Sequence, residues 1–284
     1  METTLGWAAH GLIQEQYEQL LRQEESVLLD EDPEALHKMR VACRRLRTAL
    51  QVFAQTLDLP TDLTQERVRD LGRALGGLRD LDVQRTDLMT YYQPRLPDES
   101  QVTALTERLT KQRRRAYSRV QHELTRPRYQ KLKRACADWL AQPRYHPVAK
   151  RPLSPLLPYL LGPLCAEMML HPGWLLDDDT DPHVLHDLRK ALKHVRYEAE
   201  FFADAYPPAF KDWIKGIKTL QETLGTIQDT GVLAAQLSTA ESDLHLAIQD
   251  RRARALLHWR TLRRAYLEPV FLTQLAQIVA RPAM

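Results

Sequence analysis

The chain has 284 residues, 44% of them apolar and 27% charged, with a net charge of +3. That length supports one large or two smaller domains with a real core, and the small net charge excludes a general polycation. Three scattered cysteines, Cys43, Cys136 and Cys165, have no paired spacing, which argues against a disulfide framework and a zinc site.

Scarce glycine and abundant Leu, Ala, Arg, Gln and Glu predict an all-α chain. Leu5 to Leu29 carries Leu12, Ile13, Tyr17, Leu20, Leu21 and Val27 at helical spacing, a first amphipathic helix. Asp30-Glu31-Asp32-Pro33 ends it and starts the next, with Asp32 suited to the N-cap and Pro33 to the first helical position. This second helix is expected to run to about Thr56, before the turn Leu59-Pro60-Thr61-Asp62. A long helix from Thr64 to about Tyr92 follows, ended by Pro94, Pro97 and Asp98. Its Gly72 and Gly76, four residues apart, permit close helix approach. Ser100 to Leu124, densely basic, and Pro127 to Leu140 read as two further helices.

Pro143, Pro147 and Pro152, with Lys150 and Arg151, mark a linker between a first half, 1–148, and a second, 149–284. Leu153 to Leu176 is apolar but interrupted by Pro155, Pro158, Pro163, Pro172 and Gly173. A membrane span needs about 20 mostly apolar residues. The stretch therefore reads as a buried, kinked first helix of the second half, and no membrane partner is expected.

The second helix carries the most distinctive pattern. At roughly 100° per residue, His37, Arg40, Arg44 and Arg47 fall at about 0°, 300°, 340° and 280°, one cationic stripe. Met39, Ala42, Leu46, Leu50 and Phe53 lie opposite. His186, Arg189, Lys193 and Arg196 repeat the stripe, opposite Leu188, Ala191, Val195 and Phe202. Solvated faces usually interleave acids with bases. From His37 to Arg47 there is no acid, and one unrelieved sign of charge points to an anionic partner.

The offset of 149 residues that separates His37 from His186 recurs along the chain. It relates Asp32-Pro33 to Asp181-Pro182, Leu75-Gly76 to Leu224-Gly225, and Asp80 to Asp229. It also relates Arg114-Arg115-Ala116-Tyr117 to Arg263-Arg264-Ala265-Tyr266, and Lys111 to Arg260. Separated blocks at one offset read as an internal duplication of a helical unit. Duplicated units often pack about a pseudo-two-fold axis, so matched basic residues are expected on a shared surface.

Two motif sets carry a family resemblance. The first is His37-x-x-Arg40-x-x-x-Arg44-Arg45-x-Arg47 with Leu75-Gly76-x-x-Arg79-Asp80-x-Asp82. The second is His186-x-x-Arg189-Lys190-x-x-Lys193-x-x-Arg196-Tyr197 with Leu224-Gly225-x-x-Gln228-Asp229. Together they resemble the CHAD domain, the conserved-histidine α-helical domain, over nearly the whole chain. His194 stands where that family tends to have an arginine. The resemblance implies two helical, four-helix-type bundles related by pseudo-symmetry and a basic central cavity or channel that binds inorganic polyphosphate. Some members carry a triphosphate-tunnel hydrolase domain. No Glu-x-Glu strand pattern at the start of this chain suggests one.

Polyphosphate carries about one negative charge per phosphate and no bases, so binding it takes many cationic donors along a track. Arginine pairs two phosphate oxygens with its planar fork, and lysine adds point charge. The expected binding residues are His37, Arg40, Arg44, Arg45, Arg47, His186, Arg189, Lys190, Lys193, Arg196 and Tyr197. Lys111, Arg114 and Arg115 and their repeats Arg260, Arg263 and Arg264 join them, against the alternative of ordinary helix surface. Asp80 and Asp229 are expected to hold stripe arginines in place, or to form interhelical salt bridges without functional consequence. Tyr117, Tyr197 and Tyr266 either offer hydroxyls to phosphate or bury their rings, with burial the expectation.

For His37 and His186 three readings stay open: a phosphate donor that gains charge when the polyanion arrives, a metal ligand, or a structural histidine. No phosphate-binding glycine loop, nucleophile elbow or metalloenzyme motif appears, so no catalytic residue, metal or cofactor is expected. Nucleic acid is the rival partner, disfavoured because aromatics are missing from the stripes except Tyr197. A second rival is a metal-dependent phosphate-chain hydrolase or transferase. Met1 to Gln16 shows no signal-peptide pattern, so the cytoplasm is the expected compartment. Polyphosphate granules are a candidate location, and polyphosphate-metabolising enzymes are candidate partners.

Overall fold

The computed structural model describes residues 3–96, 100–176, 181–237 and 242–282. Pro97 and Asp98, expected to help end the third helix, lie outside them. The fold is all-α. Isolated bridges between Thr4 and Pro152 and between Leu57 and Tyr145 are the extended pairings among the described residues.

Two compact units form, Met1–Leu153 and Ser154–Met284. In the first, α1 (Leu5–Leu29), α2 (Pro33–Val52), α3 (Gln65–Asp87) and α4 (Ser100–Thr125) pack in sequence, and α5 (Pro127–Ala141) lies against α1, α3 and α4. Asp30 closes α1 in the left-handed region (φ 55°), its N–H donating to Ser26 and Val27 carbonyls. Two residues later the Asp32 carboxylate accepts from the Glu34 N–H and Pro33 opens α2, so a tight turn makes the two helices antiparallel. Ile13, Leu20, Met39, Leu46, Leu50, Leu75, Leu109 and Val120 are buried between them. Each fully buried aliphatic chain of this kind contributes about 2 kcal/mol.

The second helix stops at Val52, short of Thr56. Phe53 is fully buried, and the Thr56 carbonyl accepts from the His146 N–H instead of closing a further helical turn. The proline-rich stretch after α5 runs back along the first unit. Leu5 N–H donates to the Arg151 carbonyl and Leu153 N–H to that of Thr3.

The second unit contains α6 (Leu157–Met169), α7 (Pro182–Phe201), α8 (Pro208–Ala234), α9 (Asp243–Leu267) and α10 (Pro269–Ala280). The expectation that 153–176 is a buried helix needs correction. Only one face of α6 is covered, through Leu157, Leu161, Cys165 and Met168, while Tyr159, Leu170 and Leu175 are exposed. Pro163 sits inside the helix and short 3₁₀ turns flank it. Trp174 follows, stacked on Trp259 and Tyr266, its indole N–H donating to the Met168 carbonyl at 2.7 Å. Among the described residues no helix is long and apolar enough to cross a membrane.

Candidate anion-binding site

In the first unit, α2 buries Leu36, Met39, Ala42, Cys43, Leu46 and Leu50 and turns its histidine–arginine stripe outward. His37, Arg40, Arg44, Arg45 and Arg47 are all half-buried, their stems covered by neighbouring helices. The Arg40 guanidinium crosses α3 at Gly76, where an added Cβ would stand 3.3 Å from Nε. Its Nη2 ends 3.6 Å from Asp80 Oδ1, one turn further along α3. Gly76 therefore makes room for a guanidinium, a different role from the close helix approach expected of it. Gly72 faces the Cys43 thiol, which donates to the Val68 carbonyl at 3.2 Å. Burial pushes His37 below the usual imidazole range; Arg79, Arg44 and Arg40 add to the shift, against the opposing pull of Glu34.

The second unit repeats part of this arrangement. Arg189 lies across Gly225 as Arg40 lies across Gly76, an added Cβ standing 3.5 Å from its Nε. Its Nε is buried without a hydrogen-bond acceptor, and among the described residues Arg189 has no carboxylate within ion-pairing reach. Asp229 thus does not do for Arg189 what Asp80 does for Arg40. His186 Nδ1 lies 2.8 Å from Gln228 Oε1, in the position that Arg79 holds beside His37. With that oxygen accepting, Nδ1 carries the proton and Nε2 is the nitrogen that a protonated ring offers to an anion. Burial, Lys190 and Arg189 lower the His186 pKa, against the Gln228 hydrogen bond and Asp187. A cleft of about 330 Å³ opens beside this pair, walled by Leu185, Leu224 and Ile227 and bounded by Arg252.

Other expected residues are differently placed. Lys190 pairs with Asp187 at 2.6 Å. Arg196 is held by Gln221 Oε1 (3.0 Å) and Glu200 Oε1 (2.7 Å) and lies over the Tyr197 ring. Tyr197 is only 3% exposed, so its ring is a core group. Lys193 is half-buried. On α4, Lys111, Arg114 and Arg115 are exposed; on α9, Arg260 and Arg264 are exposed but Arg263 is buried among core residues. Lys111, Arg114 and Arg115 thus form an open basic surface, whereas the α9 triplet is split between two faces.

The sequence reading missed an ion-pair node. Arg113 donates from Nη1 and Nη2 to both Asp30 oxygens, and from Nε to Asp82, all at 2.6 Å. It joins the end of α1 to α3 and α4, and the two carboxylates hold its pKa above the ordinary arginine value. The signal was present: Leu109, Arg113, Ala116 and Val120 follow one helical stripe, which puts Arg113 on the apolar face. Among the described residues no three His, Cys, Asp or Glu side chains gather in a way that would hold a metal ion.

The CHAD domain family matches residues 11–238. The chain belongs to the CHAD domain family. A crystal structure of the CHAD domain from the plant Ricinus communis is similar, with a TM-score of 0.70, 26% identity and 93% of each chain covered. PptA from Streptomyces chartreusis shares the fold, with a TM-score of 0.63, 20% identity, and 96% of this chain and 99% of that chain covered. A comparison with curated proteins gave no match. In CHAD terms, the histidine motif is the outward stripe of α2 and α7, and the leucine-glycine motif is the bed on α3 and α8 across which the stripe arginine lies.

Proposed function

We propose that this CHAD protein binds inorganic polyphosphate non-covalently on the basic faces of α2 and α7, without catalysis of its own. The observation that carries the reading is a cationic surface held open by the fold. The stripe from His37 to Arg47 contains no acid, and Arg189 is laid across Gly225 with no carboxylate among the described residues to neutralise it. Arginines fixed in this way lose little side-chain freedom when they meet an anion, so more of each charge-assisted hydrogen bond appears as affinity. A linear polyanion without bases suits a track of guanidinium groups. Single-stranded nucleic acid would also want exposed aromatics, and Tyr197, the stripe's aromatic, is buried. On this reading the protein works in the cytoplasm, including at polyphosphate granules.

The test is competition at near-physiological salt, with labelled long-chain polyphosphate displaced by single-stranded DNA, RNA, heparin or orthophosphate. Clear preference for polyphosphate supports the reading. Equal displacement by every polyanion, with all binding removed by moderate salt, reduces the stripes to a generic electrostatic surface. Release of short phosphates from the labelled polymer with added magnesium or manganese would contradict the absence of catalysis.

A further inference from the structure

Away from the α2 stripe, the first unit holds a second basic recess. A cleft of about 520 Å³ lies between α3 and α4 and reaches the start of α5. Gly77 and Ala74 line it from α3, and no atom stands within 4 Å of where a Cβ on Gly77 would be. Four arginines line the cleft: Arg73, Arg119, Arg126 and Arg128. Two carboxylates accompany them, Asp70 and Glu123, so the arginines outnumber the carboxylates by two.

The carboxylates position this charge without cancelling it. Asp70 is shared by three guanidinium groups, with Arg128 at 3.0 Å, Arg73 at 3.5 Å and Arg69 at 3.8 Å. Glu123 holds Arg126 at 2.6 Å. The side chains of Arg119 and His122 have no hydrogen-bond or ion-pair partner among the described residues. The 15-residue helix α5 begins at the rim. Arg126 is its N-cap without a side-chain cap bond, so the helix dipole adds positive potential to the same recess.

We infer that this cleft is an independent site for a compact, multiply charged phosphate anion bearing adjacent phosphates, such as inorganic triphosphate or the end of a phosphate chain. Guanidinium forks lining a cleft with a small-residue floor suit adjacent tetrahedral anions, and the open space over Gly77 admits them. The site belongs to the first half alone. At the 149-residue offset, Arg73, Arg119, His122 and Arg126 are replaced by Glu222, Glu268, Phe271 and Leu275. A polyanion track built only from duplicated residues would not include it.

The inference does not rest on the polyphosphate reading of the stripes, and the experiment keeps the two apart. Inorganic triphosphate is titrated calorimetrically into the full chain, and into Arg44→Ala, Lys193→Ala protein, whose stripes are weakened. The same stripe variant is then combined with Gly77→Leu, whose Cβ meets no atom within 4 Å and which fills the cleft without a change of charge, or with Arg119→Ala. The stripe variant is expected to retain triphosphate binding, and either cleft substitution to weaken it at least tenfold with the thermal midpoint unchanged. If long-chain polyphosphate competes in the stripe variant through its ends, end-blocked polymer will not, and chain ends are then a natural occupant. If it does not compete, free triphosphate-type anions are. Unchanged affinity in both cleft variants overturns the inference, as does loss of all triphosphate binding in the stripe variant.

Discussion

Arg40 and Gly76 form one device: the guanidinium of α2 lies across α3 at the residue that has no side chain, and Arg189 and Gly225 do the same on α7 and α8. Neither glycine has a positive φ, so what each supplies is room for an arginine, not backbone freedom.

Substituting Gly76 therefore separates binding from stability. A leucine side chain there must displace the Arg40 guanidinium, while loss of a mid-helix glycine raises helix propensity by up to about 1 kcal/mol. Gly76→Leu is expected to fold with a thermal midpoint close to the parent's and to bind long-chain polyphosphate several-fold more weakly. Calorimetry and a thermal melt on the same sample check both halves.

Arg113 behaves in the opposite way. Its side chain is 14% exposed and that of Asp82 5%, so removing Arg113 strands the Asp82 carboxylate in the interior. Arg113→Ala is expected to cost about 3 kcal/mol in urea unfolding. Arg113→Leu combined with Asp82→Leu should cost less than Arg113→Ala, because no charge from that pair is left unpaired.

Glu198 is buried on α7 at a position matched by Ala49 in the first half, and burial raises its pKa to about 8. The unfolded chain releases this proton near 4.5 and the folded chain near 8, so between those values the unfolded state binds fewer protons and stability falls as pH rises. Glu198→Gln is expected to remove that fall and gain roughly 2–4 kcal/mol over the parent at pH 8. Urea unfolding at pH 5 and pH 8 tests it, the difference between the two proteins growing with pH.

On the proposed reading, His37 and His186 are expected to set the pH dependence of polyphosphate binding. Burial and neighbouring cations lower both, so at neutral pH each is uncharged in the free protein. For folding alone, a lowered histidine pKa means stability present above about 6.5 and lost as pH falls toward the folded value. A bound polyanion raises these pKa values and reverses the preference, so affinity rises as pH falls toward and below 6.5. The His37→Ala, His186→Ala protein should lose that slope. A slope identical to the parent's would assign the pH dependence elsewhere.

Much of this was legible in the chain. Asp32-Pro33 and Asp181-Pro182 marked where α2 and α7 begin, because an N-cap carboxylate followed by proline leaves the backbone little alternative. The stripes were legible because a helix converts spacing directly into a face. Partners reached across helices were not. Nothing near Arg113 indicates that Asp30, 83 residues away, will pair with it, although its place on the Leu109–Val120 stripe says that it points inward. Arg263 and Glu198 follow the same rule, between Trp259 and Tyr266 and between Val195 and Phe202. Of the three, Arg263 alone was given a role from the sequence, as a phosphate-binding group or ordinary helix surface, because its charge was given more weight than its period.

The most direct test of the central claim is the affinity of long-chain polyphosphate for the parent and for the Arg44→Ala, Lys193→Ala protein, each titrated at several salt concentrations. Polyphosphate binding through the stripes predicts affinity at least tenfold weaker in the variant, with a shallower dependence on log salt because fewer counterions are released. Equal affinity and equal slope in the two proteins would contradict it.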